Sequence, residues 1–255
     1  MVTLKGMIFM DLSILIGWPG AELLGLSLVA SIIAAVAGFG GSVILLPLVV
    51  HLFGIKAAVP ILTIAQLFGN ASRAWFGRLT IDWKVVGYFC LGCIPSAVIG
   101  AIMFSFLQAT WLKNGLGAFL LFTLLYRHSG LKPVNMRLPY FAVLGAVFGW
   151  LSAVVGTVGP LVAPFFLDYG LMGSAYIASE AMTAVVMHIT KGVVYSKYAL
   201  LGWDTFTVGL MMGLVMIFGS YTGKKIVDRL PQVWFIRIVE AMVLLAGIGF
   251  ITGLM

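Results

Sequence analysis

Four stretches of the chain, 23–50, 85–107, 138–167 and 205–223, run without a single charged residue. Each reaches or exceeds the roughly 18 apolar residues that suggest a membrane-crossing helix. Shorter apolar stretches fill the gaps at 57–72, 114–126, 170–195 and 234–255. The pattern predicts an all-α polytopic membrane protein of about eight hydrophobic segments.

The segments fall into two similar sets of four. An offset of about 118 residues lays Ala37-Gly38-Phe39-Gly40-Gly41 over Val155-Gly156-Thr157-Val158-Gly159, with a proline following in each, Pro47 and Pro164. The same offset sets Asn70 over His188 and Arg73 over Lys191. Paired glycine breaks and paired cations point to an internal duplication. The expected organisation is an interfacial N-terminal segment (1–22), a first membrane repeat (23–126), a basic inter-repeat loop (127–138) and a second membrane repeat (139–255). That loop holds Arg127, His128, Lys132, Pro133 and Arg137, and the positive-inside rule puts it in the cytoplasm.

The segments carrying the glycines have an awkward length. The stretch 23–54 would reach about 48 Å as one straight helix, too long for a hydrocarbon core of about 30 Å and too short for two full crossings. A helix broken at the glycines, crossing or re-entrant, resolves the misfit. Re-entrant segments would leave the two halves inverted. The distribution of basic residues between the two sides differs too little to choose.

Composition agrees with the segment pattern. Of 255 residues, 62% are hydrophobic and 9% charged, against about 25% charged in an ordinary soluble domain. The excess of 15 Lys and Arg over 8 Asp and Glu would suggest nucleic acid in a soluble protein. Here most of it lies between apolar runs, so no nucleic-acid partner is expected. Cys90 and Cys93 share a helical face, and with no further ligands nearby they read as packing residues. No metal and no cofactor are expected. Zinc-protease, nucleophile-elbow and phosphate-loop motifs are missing from the sequence, so no enzyme is predicted.

Candidate chemistry gathers at the breaks. Glycine inside a helix costs about 1 kcal/mol relative to alanine, and backbone freed in lipid must be buried or line a wet cavity. The amides of Gly38, Phe39, Gly40, Gly41 and Ser42, and of Gly156, Thr157 and Gly159, are then suited to an anion at a half-helix N-terminus. Pro160 fits the first turn of the second half-helix. Tight helix packing through small residues is the competing reading.

Arg73 and Lys191 are cations close to membrane depth, each three residues from a hydrogen-bonding neighbour, Asn70 or His188, on the same face. Snorkelling to the headgroups is the alternative for both. Gln66, Thr183 and His188 complete the candidate anion site. Glu180 and His188 are candidates for proton coupling, against a helix-end charge near Asp168 for Glu180 and a neutral buried imidazole for His188.

These features resemble the sulfite exporter TauE/SafE family, through Ala37-Gly38-Phe39-Gly40-Gly41 with Leu46-Pro47, the echo from Gly156 to Pro164, and the Asn70 to Arg78 stretch. The resemblance implies a multi-pass permease of the cytoplasmic membrane, moving small anions such as sulfite, sulfoacetate or related compounds. It also implies that both glycine breaks flank the substrate. Thr157 and Val158 interrupt the second glycine run, so the halves are expected to contribute unequally. An anion channel is the rival reading, and a membrane-embedded enzyme or assembly factor a more distant one. The expected partners are the small anionic solute and the lipid bilayer. Small residues such as Gly87, Gly92, Gly209, Gly213 and Gly219 leave room for tight contacts within a protomer or in a homodimer.

Overall fold

The computed structural model describes residues 17–37, 41–129 and 136–226, with three further positions at 244, 248 and 252. Most of the expected N-terminal segment, Gly38, Phe39 and Gly40, the centre of the basic loop and most of the last apolar stretch lie outside the described residues.

Among the described residues every regular element is helical. In order they are α1 (Trp18–Ala37), α2 (Gly41–Phe53), α3 (Ile55–Phe76), a single 3-10 turn (Arg78–Thr80), α4 (Trp83–Phe106), α5 (Ala109–His128), α6 (Tyr140–Val155), α7 (Gly159–Asp168), α8 (Gly173–Lys197) and α9 (Trp203–Ile226). Four of them, α1, α4, α8 and α9, are long and apolar enough to cross a membrane, while α2 and α6 are shorter apolar helices. The first predicted segment is thus divided into α1 and α2, and the fifth into α6 and α7.

Helix boundaries follow local chemistry. Asp82 caps α4, its carboxylate accepting from the amides of Lys84 and Val85 at 3.0 and 3.1 Å. At the end of α6, Gly156 adopts a left-handed φ of 94° and its amide donates to the Ser152 carbonyl. That conformation closes a helix readily only at glycine. Three residues on, α7 begins with Pro160 in its first turn, where no intrahelical amide is needed.

Glycine sets the packing. A Cβ at Gly145 would stand 1.9 Å from the Phe89 carbonyl oxygen, and one at Gly92 would stand 1.9 Å from that of Ala142. Backbones of α4 and α6 therefore touch, as small residues permit in membrane bundles. Cys93, buried with a free thiol, lies against Gly149 in this seam, which suits the packing reading. The α1–α9 seam is similar, with Gly219 against Leu28 and Ser31 and Gly223 against Ile32 and Ala35. Gly209 and Gly213 bring α9 onto Ile61, Ile64 and Phe68 of α3, so these contacts lie within one chain; Gly87 meets nothing within 4 Å.

Residue pairings fix the helix directions. Phe89 with Gly145 and Cys93 with Gly149 make α4 and α6 parallel, and the Gly219 and Gly223 contacts do the same for α9 and α1. Gly77 beside Ala178 and Gly192 beside Thr63 make α3 and α8 antiparallel. The pair α6–α7 is a hairpin, since Phe141 near its start meets Phe166 and Tyr169 near its end, with ring centroids 5.0 and 5.2 Å apart. Asp168 closes its base by accepting from the Met136 amide. The chain also folds back between α1 and α2, because Gly41 lies beside Ala30 and Ala34.

Candidate functional site

Where the two hairpin tips meet, α3, α8 and Phe89 of α4 close a polar cavity of about 40 Å³. Its wall includes Gly41, Ser42, Gln66, Asn70, Arg73, Gly156, Thr157, Gly159, Glu180, Thr183 and His188. Of the predicted site residues, Lys191 is not part of this wall, and Gly38, Phe39 and Gly40 are outside the described residues. A larger cavity of about 320 Å³ between α4, α5 and α6 is lined by side chains such as Met103, Trp111, Phe119 and Trp150 and offers no charged group.

The tips are joined directly. Ser42, second residue of α2, shares a hydrogen bond of 2.6 Å with Thr157, in the break before α7. Both helices begin at the cavity, so the amides of their first turns, which lack intrahelical partners, are aimed at one space. Removing one hydroxyl should strand the other. Ser42→Ala alone is expected to cost about 1–3 kcal/mol, and the double variant Ser42→Ala, Thr157→Val less than the two single costs together. A thermal-unfolding double-mutant cycle reads this, and simple additivity would contradict a direct bond.

Arg73 is buried and turned inward. Its guanidinium donates to the Ala34 carbonyl in the last turn of α1 at 3.1 Å and to the Asn70 side-chain oxygen, and lies 3.7 Å from a Glu180 carboxylate oxygen. Lys191 is fully buried and serves the other hairpin. Its ammonium donates to the Ser152 carbonyl and hydroxyl at 3.2 and 3.0 Å and to the Gly156 carbonyl at 3.4 Å. Each cation thus closes the carbonyl end of the helix before a break, where the helix dipole favours positive charge. The two contacts both span 39 residues of sequence, and the offset seen in the sequence relates them. Neither cation reaches for the headgroups.

Glu180 is not a helix-end charge. It lies in the third turn of α8, in the cavity wall, while Asp168 is engaged with the Met136 amide. His188 is likewise buried in this wall. Three buried atoms here have no hydrogen-bond partner: Gln66 Nε2, Glu180 Oε2 and His188 Nδ1. An unmet buried polar atom costs about 1–3 kcal/mol, so three around one cavity mark a place for water or a solute.

Sequence reading missed Ser152, Phe89, Val158, Val162, Ala184 and Met187 in the wall. Ser152 had a signal, being a hydroxyl in an apolar run four residues before Gly156. Phe89 and the other apolar members had none, because nothing distinguishes them from ordinary packing residues.

Apolar helices wrapped around a buried polar cavity define a helical membrane protein with an internal polar site. Within that class the chain belongs to the Sulfite exporter TauE/SafE family, which it matches over residues 23–250. It is similar to the probable membrane transporter protein YjnA of Bacillus subtilis, 23% identical over 250 residues that cover 86% of this chain and 94% of that protein. It is also similar to the probable sulfite/organosulfonate exporter TauE of Cupriavidus necator, 33% identical over 121 residues, 44% of this chain and 45% of that protein. No solved structure matches the chain.

Proposed function

We propose that this protein is a secondary transporter of the cytoplasmic membrane that moves a small anion of the sulfur oxyanion or organosulfonate class, such as sulfite or sulfoacetate. The observation that carries the reading is the convergence of two half-helix N-termini and the Arg73 guanidinium on one buried polar cavity. Amide hydrogens, a guanidinium and the unmet Gln66 donor replace the water that an oxyanion loses. The likeness to the probable sulfite/organosulfonate exporter of Cupriavidus necator supports the sulfur chemistry.

In this reading Gly41, Ser42, Gly156, Thr157 and Gly159 offer the tip donors. Gln66, Asn70, Arg73, Thr183 and His188 complete the wall. Lys191 acts through its charge and by holding the end of α6. A cavity of about 40 Å³ holds about three waters, which suits a four-atom oxyanion such as sulfite. A two-carbon sulfonate requires the tips to separate.

The packing supports two inverted halves. Exchanging α1–α4 with α6–α9 turns the α4–α6 seam into the α9–α1 seam and the α4–α8 contact into the α9–α3 contact, and leaves α3–α8 paired. Each hairpin is then a re-entrant segment, one from either side. Their return arms, α2 and α7, span about 20 and 15 Å, together about 35 Å, enough to bridge a hydrocarbon core of about 30 Å when tilted.

Thermal unfolding of the purified protein with sulfite, thiosulfate, sulfoacetate, taurine and simple carboxylates tests the substrate class. A true ligand at 100 times its Kd stabilises by about 2.7 kcal/mol, and saturable uptake into liposomes should follow the same preference. If no sulfur anion shifts the transition, the sulfur reading fails. Flux that rises linearly with concentration would indicate a channel instead.

A further inference from the structure

A carboxylate is an odd neighbour for an anion site. Glu180 has no acidic counterpart in the other half, where the related position is the buried Leu62. It stands in the cavity wall beside the guanidinium that a transported anion would need. Its hold there is loose. The Asn70 side chain and the Ala34 carbonyl accept hydrogen bonds from Arg73, whereas Glu180 Oε2 lies 3.7 Å away and accepts none.

We propose that Glu180 is the internal competitor of the transported anion for Arg73, and that it takes up one proton when the anion displaces it. The proposal rests on the anion reading above and adds the coupling ion. With the cavity empty of solute, Arg73 and Glu180 balance each other. A monovalent anion arriving beside Arg73 would put two negative charges against one guanidinium in a site with little water. A proton on Glu180 Oε2 restores the balance, and the resulting hydroxyl gains a donor that can point at the anion. No bond other than the O–H bond forms, and the charge of the site is the same before and after.

The groups around Glu180 come from several elements. From α3 comes Arg73, and from α8 itself come Tyr176 and, further along the cavity wall, His188, while the Lys191 ammonium is taken up by Ser152 and Gly156. At the head of α4 the Asp82 amide donates to Ser179, next to Glu180, and Cys93 of α4 lies toward Lys191. Arg78 of the 3-10 turn is stacked on Trp75. The cavity wall takes a hydroxyl from α6 (Ser152) and apolar surface from α7 (Val162). Asp168, at the far end of α7, is bonded to Met136. Among the described residues His188 is therefore the one rival carrier in the wall, its Nδ1 also lacking a partner.

Binding of methanesulfonate and ethanesulfonate, both monovalent and neither titrating in the range used, should be measured by calorimetry between pH 5.5 and 8. Uptake of one proton per anion makes affinity fall by up to about tenfold per pH unit as pH rises. The same titration in buffers of different ionisation enthalpy should return close to one proton taken up. Glu180→Gln, which mimics the protonated acid, should bind tightly with affinity changing less than about twofold across the range and no proton uptake. Wild-type binding without proton uptake overturns the proposal and leaves the anion site standing. Loss of the pH slope in His188→Gln but not in Glu180→Gln assigns the proton to His188 and overturns it too. If neither anion binds the wild type at any pH, the anion reading falls and this proposal with it. Should Glu180→Gln fail to fold, His188→Gln decides: one proton still taken up supports the proposal, and none overturns it.

Discussion

Arg73→Met should lower the stability of the purified protein at pH 8 by about 3–5 kcal/mol, because it leaves the Glu180 carboxylate buried without its cation and the Ala34 carbonyl without its donor. At about 2–4 °C per kcal/mol for a chain approaching this size, the melting temperature should fall by roughly 10 °C. The deficit should shrink as pH falls toward 5.5, since a protonated Glu180 has no charge to strand. A second substitution separates stability from function. Arg73→Met with Glu180→Leu replaces the pair by apolar side chains, a change that is often neutral or stabilising for buried ion pairs. The double variant should recover most of the lost stability and bind no sulfur anion. If Arg73→Met melts with the wild type at pH 8, the ion pair is not holding the hairpin in place.

Gly145→Val should prevent recovery of folded, monodisperse protein. The added Cβ would fall 1.9 Å from the Phe89 carbonyl oxygen and 3.0 Å from the Cys93 amide nitrogen. These are backbone atoms in the middle of α4, so relief requires the helices to move apart along the seam. Ordinary overpacking costs about 1–3 kcal/mol, and a clash with backbone exceeds that. Since α4 also packs against α8, the cavity would open with the seam. Gly87→Ala serves as the control, because a Cβ there meets nothing within 4 Å. Size-exclusion profiles in mild detergent distinguish the two, and a normal profile for Gly145→Val would refute the close seam.

Much of this arrangement can be read from the residue pattern. Uncharged runs mark the helices, and glycines in their middles mark where α1 gives way to α2 and α6 to α7. The shared offset that sets Arg73 over Lys191 reappears as two cation-to-carbonyl contacts of equal sequence span. What the pattern could not supply is direction within a helix face. Arg73 and Lys191 look alike in sequence, yet the Arg73 guanidinium reaches both a carbonyl and the cavity, while the Lys191 ammonium is taken up by Ser152 and Gly156. Glu180 read most simply as a helix-end charge, because its partner is more than a hundred residues away and only the antiparallel packing of α3 and α8 brings it near. Length tests are also blind to division: a run of 28 uncharged residues looks like one long helix until its two parts fold back.

The unequal return arms have an electrical consequence. If each hairpin re-enters as proposed, α2 of 13 residues and α7 of 10 put the meeting point of the tips at unequal depth from the two faces. Under the proposed topology an ion arriving along α7 crosses about two-fifths of the thickness, and one arriving along α2 about three-fifths. One elementary charge crossing 100 mV exchanges about 2.3 kcal/mol with the field. The two legs then divide that into roughly 0.9 and 1.4 kcal/mol, so the membrane voltage would act as a bias between loading from one face and loading from the other.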